Sequence, residues 1–159
     1  LILEQEKKIR QIAVNKKAWH SYSISDEYEA GLVLVGSEVK SIRNGNVNLK
    51  DAYARVNEKG EIYVLQMHIS PYTYSYNDNH DPERPRKLLL NKAEIRKISN
   101  KIREKGFSLI PLSLYFKGSR IKIKIGIGQG KNLYDKRQSL KEKDANREIH
   151  RINKHKDYS

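Results

Sequence analysis

The chain has 159 residues, no cysteine, and 32 lysines and arginines against 19 aspartates and glutamates, a formal charge of +13. Disulfides, thiol nucleophiles and thiolate-ligated metals are thereby excluded, and the length suits one domain with a single core. The charge favours a polyanion partner, nucleic acid foremost, because several phosphates can be neutralised with release of their counterions. A basic domain whose lysines merely face water stays open as an alternative. An anionic membrane fits less well, since no long segment sets apolar residues on one face and lysine on the other. No stretch approaches 18 successive apolar residues. The chain starts at Leu1, carries charges among its first residues and has its one methionine at Met67, so an initiator is expected upstream, no secretory signal is expected and a cytoplasmic location is.

Residues 1–17 are charged with scattered isoleucines and predict a short helix or an arm ordered on docking. From Trp19 the composition shifts. His20–Ile24 alternates, and Leu32-Val33-Leu34-Val35 reads as a strand buried on both sides. Ser37 can cap a short helix carrying Val39 and Ile42 on one face, with Gly45 to end it. The segments Val47–Val56 and Glu61–Ile69 flank Asn57-Glu-Lys-Gly60 and predict an antiparallel hairpin. Pro71, Pro82 and Pro85 mark a long connection. Asn91 with Glu94 three residues later forms a capping box, so a helix is predicted over Asn91 to Lys105, ended by Gly106 and buried along Ile95, Ile98 and Ile102.

Phe107–Phe116 and Arg120–Ile127 are strands joined at Lys117-Gly118-Ser119. In the second, the isoleucines share one face, while Arg120, Lys122 and Lys124 recur on the other about 6.5 Å apart, a spacing similar to successive phosphates. Phosphate contact and an ordinary solvated face are equally open here. Several short strands with few helices suggest a small antiparallel barrel of oligonucleotide-binding type, mainly β with added helices; an open sheet with one packed helix is the runner-up. The expected division is an arm over residues 1–17, a barrel over 18–130 and a basic tail over 131–159. That tail holds nine basic against five acidic residues, too few apolar residues for a core of its own, and good helix formers, so it is expected to order on a partner surface.

Catalytic chemistry is not supported. Gly126-Ile-Gly128-Gln-Gly130-Lys131 follows a strand and leads into a polar tail, so it is no nucleotide cradle; its glycines permit a close backbone approach, either to another strand or to RNA. His68, His80 and Asp81 lack a nucleophile or a completing metal ligand. No cofactor, metal or enzymatic activity is expected. Tyr72, Tyr74 and Tyr76 alternate beside Pro71 and could stack bases or plug the barrel mouth.

Several separated strings together resemble the SsrA-binding protein family. They are Ile12–Ala18, Glu29-Ala-Gly31, Gly36–Arg43, Asn48–Arg55, His68–Tyr72, His80-Asp-Pro82, Arg86–Leu90 and Tyr134-Asp-Lys-Arg137, spread in order over most of the chain. Asn91 stands where the family commonly has histidine, and Gln129 and Asn132 where it often has basic residues. The resemblance implies a barrel with added helices and a basic tail that binds the transfer-RNA-like domain of transfer-messenger RNA. It also implies action in trans-translation: the body completes the tRNA-like shape, and the tail enters the vacant messenger channel and decoding region of a stalled ribosome, against small-subunit ribosomal RNA. A monomer in solution, without membrane contact, is expected. A general single-strand RNA binder or a ribosomal protein is the alternative.

Within that reading the RNA-binding candidates are Glu38, Lys40, Arg43, Asn48, Lys50, Arg55, His80, Lys124 and Lys131. Glu38 is unusual beside phosphate; its carboxylate can accept from a base or ribose, or form an internal ion pair. His80 can equally make a loop hydrogen bond. Asn48 and Lys50 would share one strand face, with Arg55 on the other parity if no bulge intervenes. The resemblance assigns ribosome contact to Tyr134, Asp135, Lys136, Arg137, Lys141, Lys143, Arg147, Ile149 and Arg151.

Overall fold

The hairpin with the clearest alternation in the sequence closes the molecule. In the computed structural model, which describes residues 8–74 and 79–131, strands β8 (Phe107–Lys117) and β9 (Arg120–Gly130) pair from Lys117↔Arg120 to Phe107↔Gln129. Gly118 turns the chain at a φ of 62°, a conformation glycine adopts without Cβ strain. Ile123, Ile125 and Ile127 are fully buried. The predicted period-two pattern therefore faces the core directly.

The preceding elements are β1 (Ile9–Val14), α1 (Lys16–Ser21), β2 (Tyr22–Leu32), α2 (Gly36–Arg43), β3 (Val47–Asn48), β4 (Tyr53–Val56), β5 (Ile62–Leu65), β6 (His68–Ile69), β7 (Arg86–Leu89) and α3 (Lys92–Ile102). The large sheet runs β1-β8-β4-β5-β7-β2-β9, and β8 also pairs with β9. Six strands thus form a closed antiparallel ring, with β1 added outside on β8, and closure removes the edges that an open sheet would expose. One seam is thin: β4 meets β8 at the single registered pair Ala54↔Leu109. A separate β3–β6 ribbon, Val47↔Ile69 and Asn48↔His68, lies outside the ring.

Inside, Ile42 of α2 and Ile98 of α3 join Val64, Met67, Ile69 and Leu114 in one core cluster, all completely buried. The α3 capping box forms as expected: Asn91 Oδ1 accepts from the Glu94 amide at 2.8 Å and Glu94 Oε1 from the Asn91 amide at 3.4 Å. Asn15 performs a second capping task, accepting from the Ala18 amide while its Nδ2 donates to the Pro111 carbonyl at 2.9 Å. Pro111 itself sits where the β8–β9 register shifts, a position at which a missing N–H is tolerated.

The glycines of β9 mark close packing. A Cβ at Gly126 would lie 2.9 Å from Leu112 Cδ1, and one at Gly128 2.9 Å from the Ser23 carbonyl oxygen. Gly128 thereby makes the close approach to a neighbouring strand that was one of the two uses open to this run.

Four expectations change. Residues 9–14 are a strand paired with β8 over Ile9↔Lys117 to Val14↔Ser113, where an arm or short helix was predicted; the partner lies about a hundred residues downstream, so no local pattern announces it. Lys16–Ser21 is a helix, so the alternation of His20–Ile24 becomes a strand only at Tyr22. The strand β2 ends at Leu32, and Val33 and Val35 are 46% and 45% exposed, not buried on both sides. The segment from Val47 to Val56 breaks in two, because a turn at Lys50–Asp51, closed by the Ala52 amide on the Leu49 carbonyl at 3.1 Å, separates β3 from β4.

Candidate nucleic-acid interface

A cleft of 1190 Å³ opens along the thin β4–β8 seam, between α1, the β3–β4 turn and the end of β9. Four sequence candidates line it: Asn48, Lys50, Arg55 and Lys131. Asn48 Oδ1 accepts from the Lys50 amide at 2.8 Å, an Asx turn that swings Lys50 off the strand. The shared strand face expected for these two is therefore replaced by a shared cleft. Arg55 projects exposed from β4. Lys131 is pinned at the far end, its amide donating to the Ser21 carbonyl at 2.9 Å and its Nζ to the Trp19 carbonyl at 3.3 Å.

Sequence reading missed Lys17, Tyr53, His68 and Ser108, which line the same cleft. The signal for Lys17, Tyr53 and His68 was their place in the strings Ile12–Ala18, Asn48–Arg55 and His68–Tyr72; Ser108 becomes visible only when the ring closes. Asp51 and Glu83 also line it, and Glu83 lies 3.8 Å from His68 Nδ1, so the cleft is basic with acidic interruptions.

Beneath α2 lies a charged cluster. Glu38 is fully buried, as is Arg86. Arg86 Nε donates to Glu38 Oε2 at 2.5 Å, its Nη1 to the Met67 carbonyl, and its Nη2 to the carbonyls of Asp81 at 3.3 Å and Pro82 at 3.1 Å. Arg84 Nη2 donates to Glu38 Oε1, which also accepts from the Val35 amide at 3.0 Å. Burial pushes the Glu38 carboxyl up, but the hydrogen bonds from Arg84, Val35 and Arg86 outweigh it and hold the group below its ordinary value. Glu38 thus takes the internal ion pair of the two roles left open; both its oxygens are committed and it presents nothing to a base or ribose.

Ser37 does not cap α2. Val35 is the capping position, and the Glu38 side chain closes back on its amide. The Ser37 hydroxyl instead lies 2.8 Å from His80 Nδ1, while His80 Nε2 lies 2.8 Å from the Ile69 carbonyl. A carbonyl only accepts, so Nε2 carries a proton and, in the neutral ring, Ser37 donates to Nδ1. His80 therefore makes the loop hydrogen bond and is buried. Lys40 and Arg43 stay exposed on α2. Lys40 Nζ stands 5.4 Å from the Tyr72 ring, which meets Tyr74 edge to face at 5.5 Å. Tyr76 lies outside the described residues.

On the outer wall of β2, β8 and β9, the predicted basic row meets acids. Glu29 pairs in register with Lys124. It accepts from Tyr115 Oη at 2.5 Å and from Lys117 Nζ at 3.1 Å. Glu27 lies 4.0 Å from Lys124 Nζ. Burial raises the Glu29 carboxyl, yet the Tyr115 and Lys117 hydrogen bonds bring it below its ordinary value. Lys124 is therefore a partly neutralised cation.

The tail candidates Tyr134, Asp135, Lys136, Arg137, Lys141, Lys143, Arg147, Ile149 and Arg151 lie outside the described residues. Among the described residues no group of three or more acidic or imidazole side chains is placed to hold a metal ion, and no helix is long and apolar enough to cross a membrane.

A model of the SmpB protein family matches residues 12–155. The chain belongs to the SmpB family. It is 53% identical over 147 residues to the SsrA-binding protein of Syntrophobacter fumaroxidans, covering 92% of this chain and 91% of that one. It is 55% identical over 140 residues to the SsrA-binding protein of Geobacillus thermodenitrificans, covering 88% and 90%. A chain of the solved structure described as "tmRNA-SmpB: a journey to the center of the bacterial ribosome" matches with a TM-score of 0.62 and 43% identity, over 76% of this chain and 84% of that chain. This SmpB-family barrel thus carries its cleft and its α2 cluster on a scaffold shared with a ribosome-bound relative.

Proposed function

We propose that this chain binds transfer-messenger RNA and serves trans-translation on stalled ribosomes as a binding protein, not an enzyme. The observation that carries the reading is the cleft, which brings Lys131, from the far end of the barrel sequence, to the same opening as Asn48, Lys50 and Arg55. Mixed hydrogen-bonding and cationic side chains along a groove suit a structured RNA, with phosphates neutralised and register fixed by polar contacts. The names of the relatives, SsrA-binding protein, support the choice of RNA. Lys40, Arg43 and Lys124 are further contacts, while Glu38 and His80 act by holding α2 and its neighbouring loop in place. The tail residues from Tyr134 to Arg151 engage the messenger channel and decoding region. The protein works in the cytoplasm, as a monomer before it meets RNA.

Competition among transfer-messenger RNA, ordinary transfer RNA and an unrelated RNA of equal length, at matched salt, tests the first half: a clear preference for the first is expected, and equal binding refutes it. Ending the chain after Lys131, which leaves the cleft whole, tests the second, with RNA affinity kept and peptide tagging lost; normal tagging contradicts the tail's part.

A further inference from the structure

A second, smaller pocket of 570 Å³ lies against the start of α2, lined by residues that include Gly36, Ser37, Lys40, His80 and Arg84. Its charge differs in kind from that of the long cleft. Among the described residues that line it there is no carboxylate. Glu38 is buried beneath it and shared between Arg86 and Arg84, while Asp81 and Glu83, the chain neighbours of His80 and Arg84, are exposed and stand outside its lining. Lys40 forms no ion pair among the described residues; its contact is the Tyr72 ring. Arg84 Nε is buried without a hydrogen-bond partner among the described residues, an omission that costs free energy unless something accepts from it. Lys40 and Arg84, with no carboxylate in the described lining, therefore leave a small, concave, positively charged site.

We infer that this pocket seats a phosphodiester of the bound RNA, with Lys40 and Arg84 as its phosphate ligands. Arginine and lysine beside each other match a phosphate's oxygens. The Tyr72 and Tyr74 rings next to Lys40, Tyr74 being 75% exposed, supply the surface that a neighbouring base needs and that inorganic phosphate does not. The His80 hydrogen bonds to Ser37 and Ile69 fix the pocket wall. The inference rests on the proposed RNA-binding function and adds to it a contact outside the long cleft.

Three variants test it in the full-length protein, with affinity for the tRNA-like domain of transfer-messenger RNA measured at several salt concentrations. Lys40→Ala removes an exposed cation without breaking an ion pair; binding about tenfold weaker, and a salt slope lower by about one, are expected. Arg84→Gln follows the same course, with a urea titration run alongside because Arg84 also braces Glu38. Gly36→Glu is the sharpest. A Cβ there meets nothing within 4 Å, and an acid in the first turn of a helix suits its dipole; thermal stability is kept or raised while RNA affinity falls about tenfold or more. Nuclear magnetic resonance titrations with a dinucleoside phosphate and with sodium phosphate separate the sources. Amide shifts at Gly36 and Ser37 accompanied by Tyr74 ring shifts are expected for the dinucleotide alone at matched concentration. If Lys40→Ala and Gly36→Glu bind RNA with wild-type affinity and salt slope while Arg55→Ala is weakened, the pocket inference is overturned and the cleft reading stands. Sodium phosphate saturating the pocket where the dinucleotide does not also overturns it. Failure of the wild-type chain to prefer the tRNA-like domain overturns the underlying function instead.

Discussion

Two regions of this barrel set carboxylates against cations, to opposite ends. Under α2, Glu38 and Arg86 are sealed from water, and Nε, Nη1 and Nη2 of Arg86 reach acceptors in α2, at Met67 and in the loop at residues 81–82. On the outer wall, Glu27 and Glu29 meet Lys124 and Lys117 with side chains a third to nearly a half exposed. The buried group fixes architecture, because breaking one partner strands a charge away from solvent. The exposed group contributes little to stability under solvent screening, but it lowers the net positive potential of a row of lysines. A basic strand face thus gains or loses value as a phosphate surface through its neighbouring strand, not through its own alternation.

The largest effect should come from breaking the buried group. Glu38→Gln leaves Arg86 charged without a counter-ion, and urea denaturation should show a loss of about 3–5 kcal/mol; a loss below about 1 kcal/mol would make the pair no more than another surface bridge. The same group predicts acid sensitivity. Its folded-state pKa lies below the ordinary 4.5, so its contribution is fully present above that value and is lost as pH falls through the folded pKa, the unfolded chain taking the proton first. Thermal melts from pH 6 downward should be steeper in wild type than in Glu38→Gln, and parallel curves would sink the point.

Next in size come the cleft cations. Arg55→Ala or Lys50→Ala should each weaken RNA binding about tenfold, with folding unchanged. Lys124→Ala should do less, about twofold, and alter stability by no more than about 0.5 kcal/mol, since Glu27 already shares its charge. A fluorescence titration in which Lys124→Ala matched or exceeded Arg55→Ala would reverse the ranking of the two faces. Glu27→Gln is the complementary probe, expected to strengthen nonspecific RNA binding slightly.

Much of the scaffold was legible because its signals are local. The Asn91–Glu94 box, the turn at Asn57–Gly60 and the isoleucine face of β9 each lie within a few residues. What could not be read joins distant segments. The partner of β1 is β8, and the arginines that claim Glu38 are 46 and 48 residues further along the chain. Asn48 and Lys50 belonged in the interface for a reason their spacing misrepresented, since an Asx turn and not a strand sets their relation. Leu32–Val35 has the composition of a buried strand, yet the sheet ends before its last three residues, and apolar content alone carries no such boundary.

The uneven fastening of the ring has its own consequence. The β8–β9 zipper is long, whereas the β4–β8 seam is stitched once, at Ala54↔Leu109, and that stitch lies in the wall of the cleft. Any breathing of the cylinder starts there, so its mouth can widen to admit a bulky strand while the opposite side keeps its shape, much as a purse opens at its clasp.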